Sequence, residues 1–330
     1  MRATAAALFF SAAVLLAAAG NLPFAGEINA ATAYPDKAIR WIVTVSTGGG
    51  VDFMARLYGQ KVSDVLKQPV VVDNRPGATG TIGMQLVARA APDGYTVVVI
   101  SVADLIIASL SDGKGVDPIK DFAPVSLLGT TPLVLAVHPS LNAGTLAEFI
   151  AAARKQPGRI HYASGGTGGI QHLATELFKH EAKVDLAHVP YKGTGPGVID
   201  LLAGHVQVML TSPAAVLPHV KAGRLRALAI MGKARSPAAP DLPTFAESGL
   251  PGVDMGVWYG VLAPARTPAA IVDKLSQTIA LVARMSDVRE KITAAGAEPA
   301  QSTPAEFRRF LENERAKLVK IARDVDIRID

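Results

Sequence analysis

The residues best placed to do chemistry lie in three glycine-rich turns, each between an apolar run and a helical pattern. In IVTVSTGGGVDFMAR, at 42–56, Ser46, Thr47, Gly48, Gly49 and Gly50 offer hydroxyls and open amides ahead of a helix beginning near Asp52. RIHYASGGTGGIQHLATELF, at 159–178, repeats that order with Ser164, Gly165, Gly166, Thr167, Gly168 and Gly169 in the turn. A third version, HVPYKGTGPGVIDLLAG at 188–204, carries Tyr191, Gly193 and Pro196. The first turn of a helix presents unpaired N–H groups and a fractional positive charge, so such places suit anions. A single glycine turn is explained by tight chain reversal alone; three in one chain point to a ligand site.

The anion is not a nucleotide phosphate. GxGxxG fails, because its third glycine would fall on Gln171 from Gly166 and on Val198 from Gly193, and GxxxxGK[ST] does not occur. Hydrolysis would need a partnered nucleophile. The elbow GxSxG does not occur, since Ser164 lies in YASGG, although His161, His172 or His188 could approach it in space. An exported serine hydrolase acting on a small ester or amide is therefore the alternative reading. No HExxH or cysteine thiolate set is present, and the His172–Glu176 pairing at i, i+4 is too common to signal a metal. Neither metal nor cofactor is expected. The loops 46–50 and 164–169 contain no Lys or Arg, a pattern suited to holding a carboxylate by hydrogen bonds without a salt bridge. Asp52 reads best as a helix cap, because a carboxylate facing the cleft would repel an anion. The candidate ligand-binding set is Ser46, Thr47, Gly48, Gly49, Gly50, Asp52, Ser101, Ser164, Gly165, Gly166, Thr167, Gly168, Gly169, His172, Tyr191, Gly193 and Pro196. Lys192 is the nearest cation, and Tyr191 either stacks on the ligand or packs beneath it.

Strands must carry these turns. Apolar runs at 39–45, 70–72, 95–101, 133–137, 159–163, 186–189, 206–210, 225–230 and 257–262 alternate with helical patterns, which predicts an α/β fold with largely parallel sheets. Capping boxes at Thr145–Glu148, Thr244–Glu247 and Thr303–Glu306 mark helix starts, the last with Pro304 at the first helical position. That helix runs to about Arg323, and another spans 268–285. A chain of this length favours two lobes, and with no polar linker the crossings are assigned to strands at 131–134 and 255–259.

Composition narrows the class further. The net charge of +5 is spread along 330 residues without basic runs or interleaved aromatics, so nucleic acid is not an expected partner. Arg2, the apolar stretch ALFFSAAVLLAAA at 7–19 and the triplet Ala31-Thr32-Ala33 have the layout of a signal peptide, residues 1–33, cut after Ala33 or earlier after Ala25. Cysteine is absent, and export without disulfides suits a bacterial periplasmic protein.

Read together, these segments resemble a known family. YPDKAIR at 34–40, GGGVD at 48–52, VVDNRPGATG at 71–80, ARAAPDGYT at 88–96, KDFAPV at 120–125, HVPYKGTGP at 188–196, DLLAGHV at 200–206, WYGVLAPARTPA at 258–269 and GAEP at 296–299 are similar to the periplasmic receptors of tripartite tricarboxylate transporters, the Bug proteins. The resemblance implies a type II periplasmic binding protein fold, two α/β lobes with a ligand cleft between them. The first lobe would comprise 34–132 and 256–330, and the second 133–255. It implies a monomeric, non-catalytic receptor for a small organic carboxylate, held by amides, hydroxyls and waters, that delivers it to a transporter with one large and one small membrane subunit. Signalling by the loaded receptor to a sensor kinase is a further alternative. The chain departs from the family pattern at Thr47, where proline is usual, at Gly165 and Gly169, where hydroxyl residues are frequent, and between Ser101 and Asp121.

Overall fold

A computed structural model of the protein describes residues 34–110 and 115–325; the signal-peptide assignment lies outside the described residues. Two βαβ series build the fold. In the first, β1 (Ile39–Val43) leads through the first glycine turn into α1 (Gly50–Leu66), β2 (Val70–Asn74), α2 (Thr81–Ala88), β3 (Thr96–Ser101) and α3 (Val102–Leu110). In the second, β6 (His161–Ser164) leads through the second turn into α5 (Ile170–Ala182), β7 (Ala187–Pro190), α6 (Thr194–Ala203), β8 (Val208–Thr211) and α7 (Pro213–Lys221). The long β4 (Phe122–Pro132) and β5 (Val134–Val137) precede the second series, with α4 (Leu146–Lys155) between β5 and β6. β9 (Arg226–Ile230), β10 (Gly256–Pro264), α8 (Ala269–Ala283), α9 (Ser286–Ala294), β11 (Glu298–Pro299) and α10 (Pro304–Asp324) complete the described chain.

The strands form two sheets, ordered β11-β4-β10-β3-β1-β2 and β7-β6-β8-β5-β9. In each, the first strand of a βαβ series sits between its two parallel partners, β1 between β2 and β3 and β6 between β7 and β8. The two glycine turns recognised in the sequence thus follow topologically equivalent strands. The expectation of largely parallel sheets is corrected: β10 runs antiparallel to β3 and β4, and β5 antiparallel to β8 and β9. The physical cause is the direct run from β4 into β5 across Leu133, and the return along β10. A strand that changes sheet without a helical crossover need not lie parallel to its new neighbours.

β4 was not among the expected strands. Pro124, Gly129 and Pro132 make FAPVSLLGTTP read as a loop. The ladder with β10 accommodates it through register shifts at Tyr259/Gly260 and Val261/Leu262, and the out-of-register Leu128 carbonyl accepts from Tyr58 Oη at 2.7 Å. The three capping boxes fared differently. Thr303 and Glu306 cap α10 reciprocally. Thr145 caps α4, but Glu148 reaches Gly144 N instead of the Thr145 amide. Thr244 and Glu247 exchange both bonds, yet they close a turn and no helix follows.

Both sheets are buried on their packed faces. Ile42, Val98 and Ile100 pack with Leu262, Phe307 and Leu311, and Leu135, Val208 and Leu210 with Phe149, Tyr162 and Phe178.

Candidate functional site

The second glycine turn opens onto a cavity of about 350 Å³ lined by Ala103, Thr131, Leu133, Gly165, Gly169, Ile170, Gln171, Thr194, Thr211, Ser212, Val257 and Tyr259. These residues come from the carboxyl ends of parallel strands in both sheets and from the strands β4 and β10 that link them, the place where open α/β sheets hold ligands. No lining residue carries a formal charge. A larger hollow of about 540 Å³ behind Trp258 contains Lys233, Asp254, Glu298, Glu314 and Lys317, but no helix of the cleft begins there.

Three helices start at the cavity without side-chain caps: α5 at Gly169, α6 at Gly193 and α7 at Ser212. The first intrahelical bond of α5 runs from Leu173 N to the Gly169 carbonyl, so the amides of Ile170, Gln171 and His172 have no intrahelical acceptor. Uncapped N–H groups and the three helix N-termini make this an electropositive site without cations. Leu133, Ile170 and Val257 supply apolar walls.

Gln171 organises this end of the cavity. Its Oε1 accepts from Gly165 N at 2.6 Å, and its Nε2 donates to Thr211 Oγ1 at 2.8 Å and Thr194 Oγ1 at 3.3 Å. A Cβ on residue 165 would lie 2.9 Å from Gln171 Oε1, which a side chain there would displace.

Behind the turn, Ser164 is fully buried and its Oγ lies 2.7 Å from His188 Nε2. His188 stacks against both Tyr162 and His172, with ring centroids 4.8 and 4.1 Å away. Gly168 N donates to His172 Nδ1 at 3.0 Å, which requires that nitrogen to be unprotonated. Burial lowers both imidazoles, His188 to about 4, with His172 adding to the shift of His188. Tyr162 Oη donates to Glu176 at 2.5 Å, and Lys179 pairs with the same carboxylate. No carboxylate orients His188 among the described residues, and Ser164 Oγ also bonds the Gly166 carbonyl. The pair braces the loop and lacks the exposed nucleophile that hydrolysis needs.

The first turn stands differently. Ser46, Thr47, Gly48 and Gly49 are exposed, Gly48 and Asp52 line a separate hollow of about 480 Å³ with Arg56, Lys61 and Lys291, and α1 also starts without a side-chain cap, at Gly49. Gly50 touches the cavity wall: a Cβ there would overlap Tyr259 Oη and lie 3.1 Å from Cζ. Asp52 is buried and accepts from Gly48 N, Arg56 Nε and Asn74 Nδ2. Burial alone would raise its pKa, but these bonds and the Arg56 charge outweigh it and hold the carboxyl below the usual range. Asp52 therefore closes its own loop and keeps its charge off the cleft. Ser101 is likewise occupied, its amide donating to Asp104 Oδ2 at 2.8 Å. In the third turn, Gly193 N donates to the Gly165 carbonyl, locking two turns together. Tyr191 Oη donates to Asp200 at 2.5 Å, and burial with this bond pushes the phenol up to about 12. Thr167 and Pro196 are exposed.

Of the expected residues, Gly165 and Gly169 line the cavity directly, and Gly50, Ser164, Gly168, His172 and Gly193 shape its walls from behind. The lining residues that went unrecognised are Ala103, Thr131, Leu133, Ile170, Gln171, Thr194, Thr211, Ser212, Val257 and Tyr259. Ser212 before Pro213 was legible as a helix start; the others have no local signature.

Known proteins resemble this chain over most of its length. A family model described as "Tripartite tricarboxylate transporter family receptor" matches residues 54–327. Protein BugT of Bordetella pertussis is 36% identical over 318 residues, 96% of either chain. A UPF0065 protein from the tcbD-tcbE intergenic region of a Pseudomonas species is 37% identical over 290 residues, 88% of this chain and 86% of that one. Among solved structures, an adipate-bound protein of R. palustris has 34% identity and a TM-score of 0.76, covering 89% of this chain and 99% of its own. MatC from Rhodopseudomonas palustris with bound malate has 31% identity and a TM-score of 0.73, covering 87% and 99%. With a two-sheet fold and an uncharged, helix-ended cavity already in place, these matches settle the kinship: the chain belongs to the tripartite tricarboxylate transporter receptor family, a family of solute-binding receptors and not of enzymes.

Proposed function

We propose that this protein is a periplasmic receptor that closes two lobes, 34–132 with 256–330 and 133–255, over a small dicarboxylate. The observation that carries the reading is the convergence of three uncapped helix N-termini on a cavity lined without charged residues. Adipate and malate, the acids held by its neighbours, are the chemical class such a cavity suits: two anionic ends for amides and hydroxyls, and an apolar chain against Leu133, Ile170 and Val257. The amides of Gly165, Gly166, Gly168, Gly169 and Gly193 are taken by partners within the protein, so the contacts fall to the first-turn amides of α5 with Thr194 and Ser212, while Asp52, Ser101, His172 and Tyr191 hold the glycine turns in shape. The mature chain starts at Tyr34, acts as a monomer and passes its ligand to one large and one small membrane subunit. Binding the closed form selectively stabilises it, by about 2.7 kcal/mol at a hundredfold excess over Kd. Thermal unfolding of the mature protein with a panel of mono-, di- and tricarboxylates tests this: at least one acid should raise the midpoint in a concentration-dependent way. A flat response across the panel would overturn it.

A further inference from the structure

The strands that link the two sheets bring a polar pair of their own to the cavity. Alternation along β10 sends Val257 and Tyr259 to one face and Trp258 to the other, where its ring packs edge-on against Phe307 and Phe310. Thr131 of β4 is the register partner of Val257, which makes it the diagonal neighbour of Tyr259 on the cavity side. Its Oγ1 lies 3.4 Å from Tyr259 Oη, long for a hydrogen bond, and neither oxygen has another partner among the described residues. Thr131 is 5% exposed and Tyr259 7%. Burial raises the Tyr259 phenol, against the Thr131 bond, so the phenol keeps a proton to donate. Two buried hydroxyls thus share one weak bond, and at least one O–H is left without an acceptor in the protein, a costly state unless a ligand supplies one. Thr194 and Thr211, by contrast, already accept from Gln171. The phenol edge is seated on Gly50, where a Cβ would lie 3.2 Å from Tyr259 Cε1.

We propose that Thr131 and Tyr259 receive the second carboxylate of the ligand, the first being held at the opening turn of α5, and that this pair selects a diacid over the monoacid of the same chain length. A carboxylate between the two hydroxyls accepts from both, and such bonds are charge-assisted. A methyl group in its place leaves a buried O–H unpaired, the kind of mismatch that a polar site rejects most strongly. Leu133, Ile170 and Val257 line the same cavity and face the carbon chain between the two ends. The inference rests on the carboxylate-receptor reading and assigns its preference for two carboxylates to two uncharged side chains.

The test is a ratio. Adipate is titrated calorimetrically against hexanoate, and malate against 2-hydroxybutanoate, with the wild-type mature chain, Tyr259→Phe and Thr131→Val. Within each pair a methyl group replaces one carboxylate. Loosening of the linking strands would weaken both members and leave their ratio unchanged, whereas a lost hydroxyl weakens the diacid selectively. The wild type should prefer at least one diacid by about a hundredfold or more. Tyr259→Phe keeps the ring on Gly50, and Thr131→Val keeps the shape of its side chain. Each should lower that ratio about tenfold. An unchanged ratio in either variant overturns the inference while leaving the receptor reading intact. A wild type that binds each monoacid as tightly as its diacid also overturns it, and leaves a receptor for one carboxylate. A wild type that binds no acid overturns the receptor reading and this inference with it.

Discussion

Replacing Asp104 by asparagine should stabilise the protein increasingly as pH rises, against the usual expectation for a carboxylate. Asp104 lies in the first turn of α3, 7% exposed, and accepts from the Ser101 amide at 2.8 Å. Burial pushes its carboxyl from 3.8 to about 6; the bonds from Ser101 pull the other way without cancelling it, and no cation is among its partners. The folded protein thus holds this proton more tightly than the unfolded chain does. The stabilisation from the neutral form is whole below pH 3.8 and is lost as pH rises through 6. A shift of about two units amounts to roughly 3 kcal/mol. About 1 kcal/mol of that is already lost at pH 4.5, and nearly all by pH 7.5. Asparagine keeps an acceptor for the Ser101 amide and does not titrate. Urea unfolding of wild type and Asp104→Asn at both pH values should therefore show the variant gaining about 2 kcal/mol relative to wild type between pH 4.5 and 7.5. A constant difference across that range would refute the argument, because other titrating groups cancel in the comparison.

The imidazoles give the opposite sign. With His188 lowered to about 4 and His172 also lowered, the unfolded chain takes up protons that the folded state refuses, so stability should fall as pH drops from 6.5 toward 4; His188→Gln should flatten that slope in urea titrations, and an unaltered slope would refute it. Ser164→Ala should weaken acid binding about tenfold by loosening the second turn, and the wild type should show no turnover of esters or amides by chromatography of the mixture. Gly260→Ala should cost about 1–3 kcal/mol, since its Cβ would overlap Phe307 Cζ and lie 2.7 Å from Cε1, with the ring held between Trp258 and Phe310; pairing it with Phe307→Leu should cost less than the two changes summed, as a double-mutant cycle would show. Thr303→Ala, which removes the oxygen that caps the Glu306 amide, should cost about 1 kcal/mol, read as a lower urea midpoint.

Local chemistry was what the sequence displayed. The turns after β1 and β6 were legible because an apolar strand, open glycines and a helix start lie within a few residues of one another. The crossings assigned to 131–134 and 255–259 rest on the lack of any linker composition there. Strand β4 was hidden because its prolines and Gly129 speak against a ladder, and only the shifts opposite Tyr259 and Val261 make room for them. The Thr244–Glu247 box promised a helix and delivered a turn, since capping bonds stabilise a first turn whether or not the chain continues it. Ser164 and a histidine were seen as potential partners; which histidine, and that the pair serves as a brace, depended on β6 lying beside β7 in register, Tyr162 against His188 and Ser164 against Pro190.

By itself the sequence determined the family and the doubled strand–turn–helix scheme, because these reside in short contiguous segments. Tertiary structure decided which residues meet. Thr131, Thr211 and Tyr259 share one cavity because β4 and β10 pass between sheets, an arrangement with no local signature. Gln171, one helix residue among many in the sequence, ties the second turn to β8 and to the start of α6 because the folded chain brings the Gly165 amide and two threonine hydroxyls within reach of its single amide group.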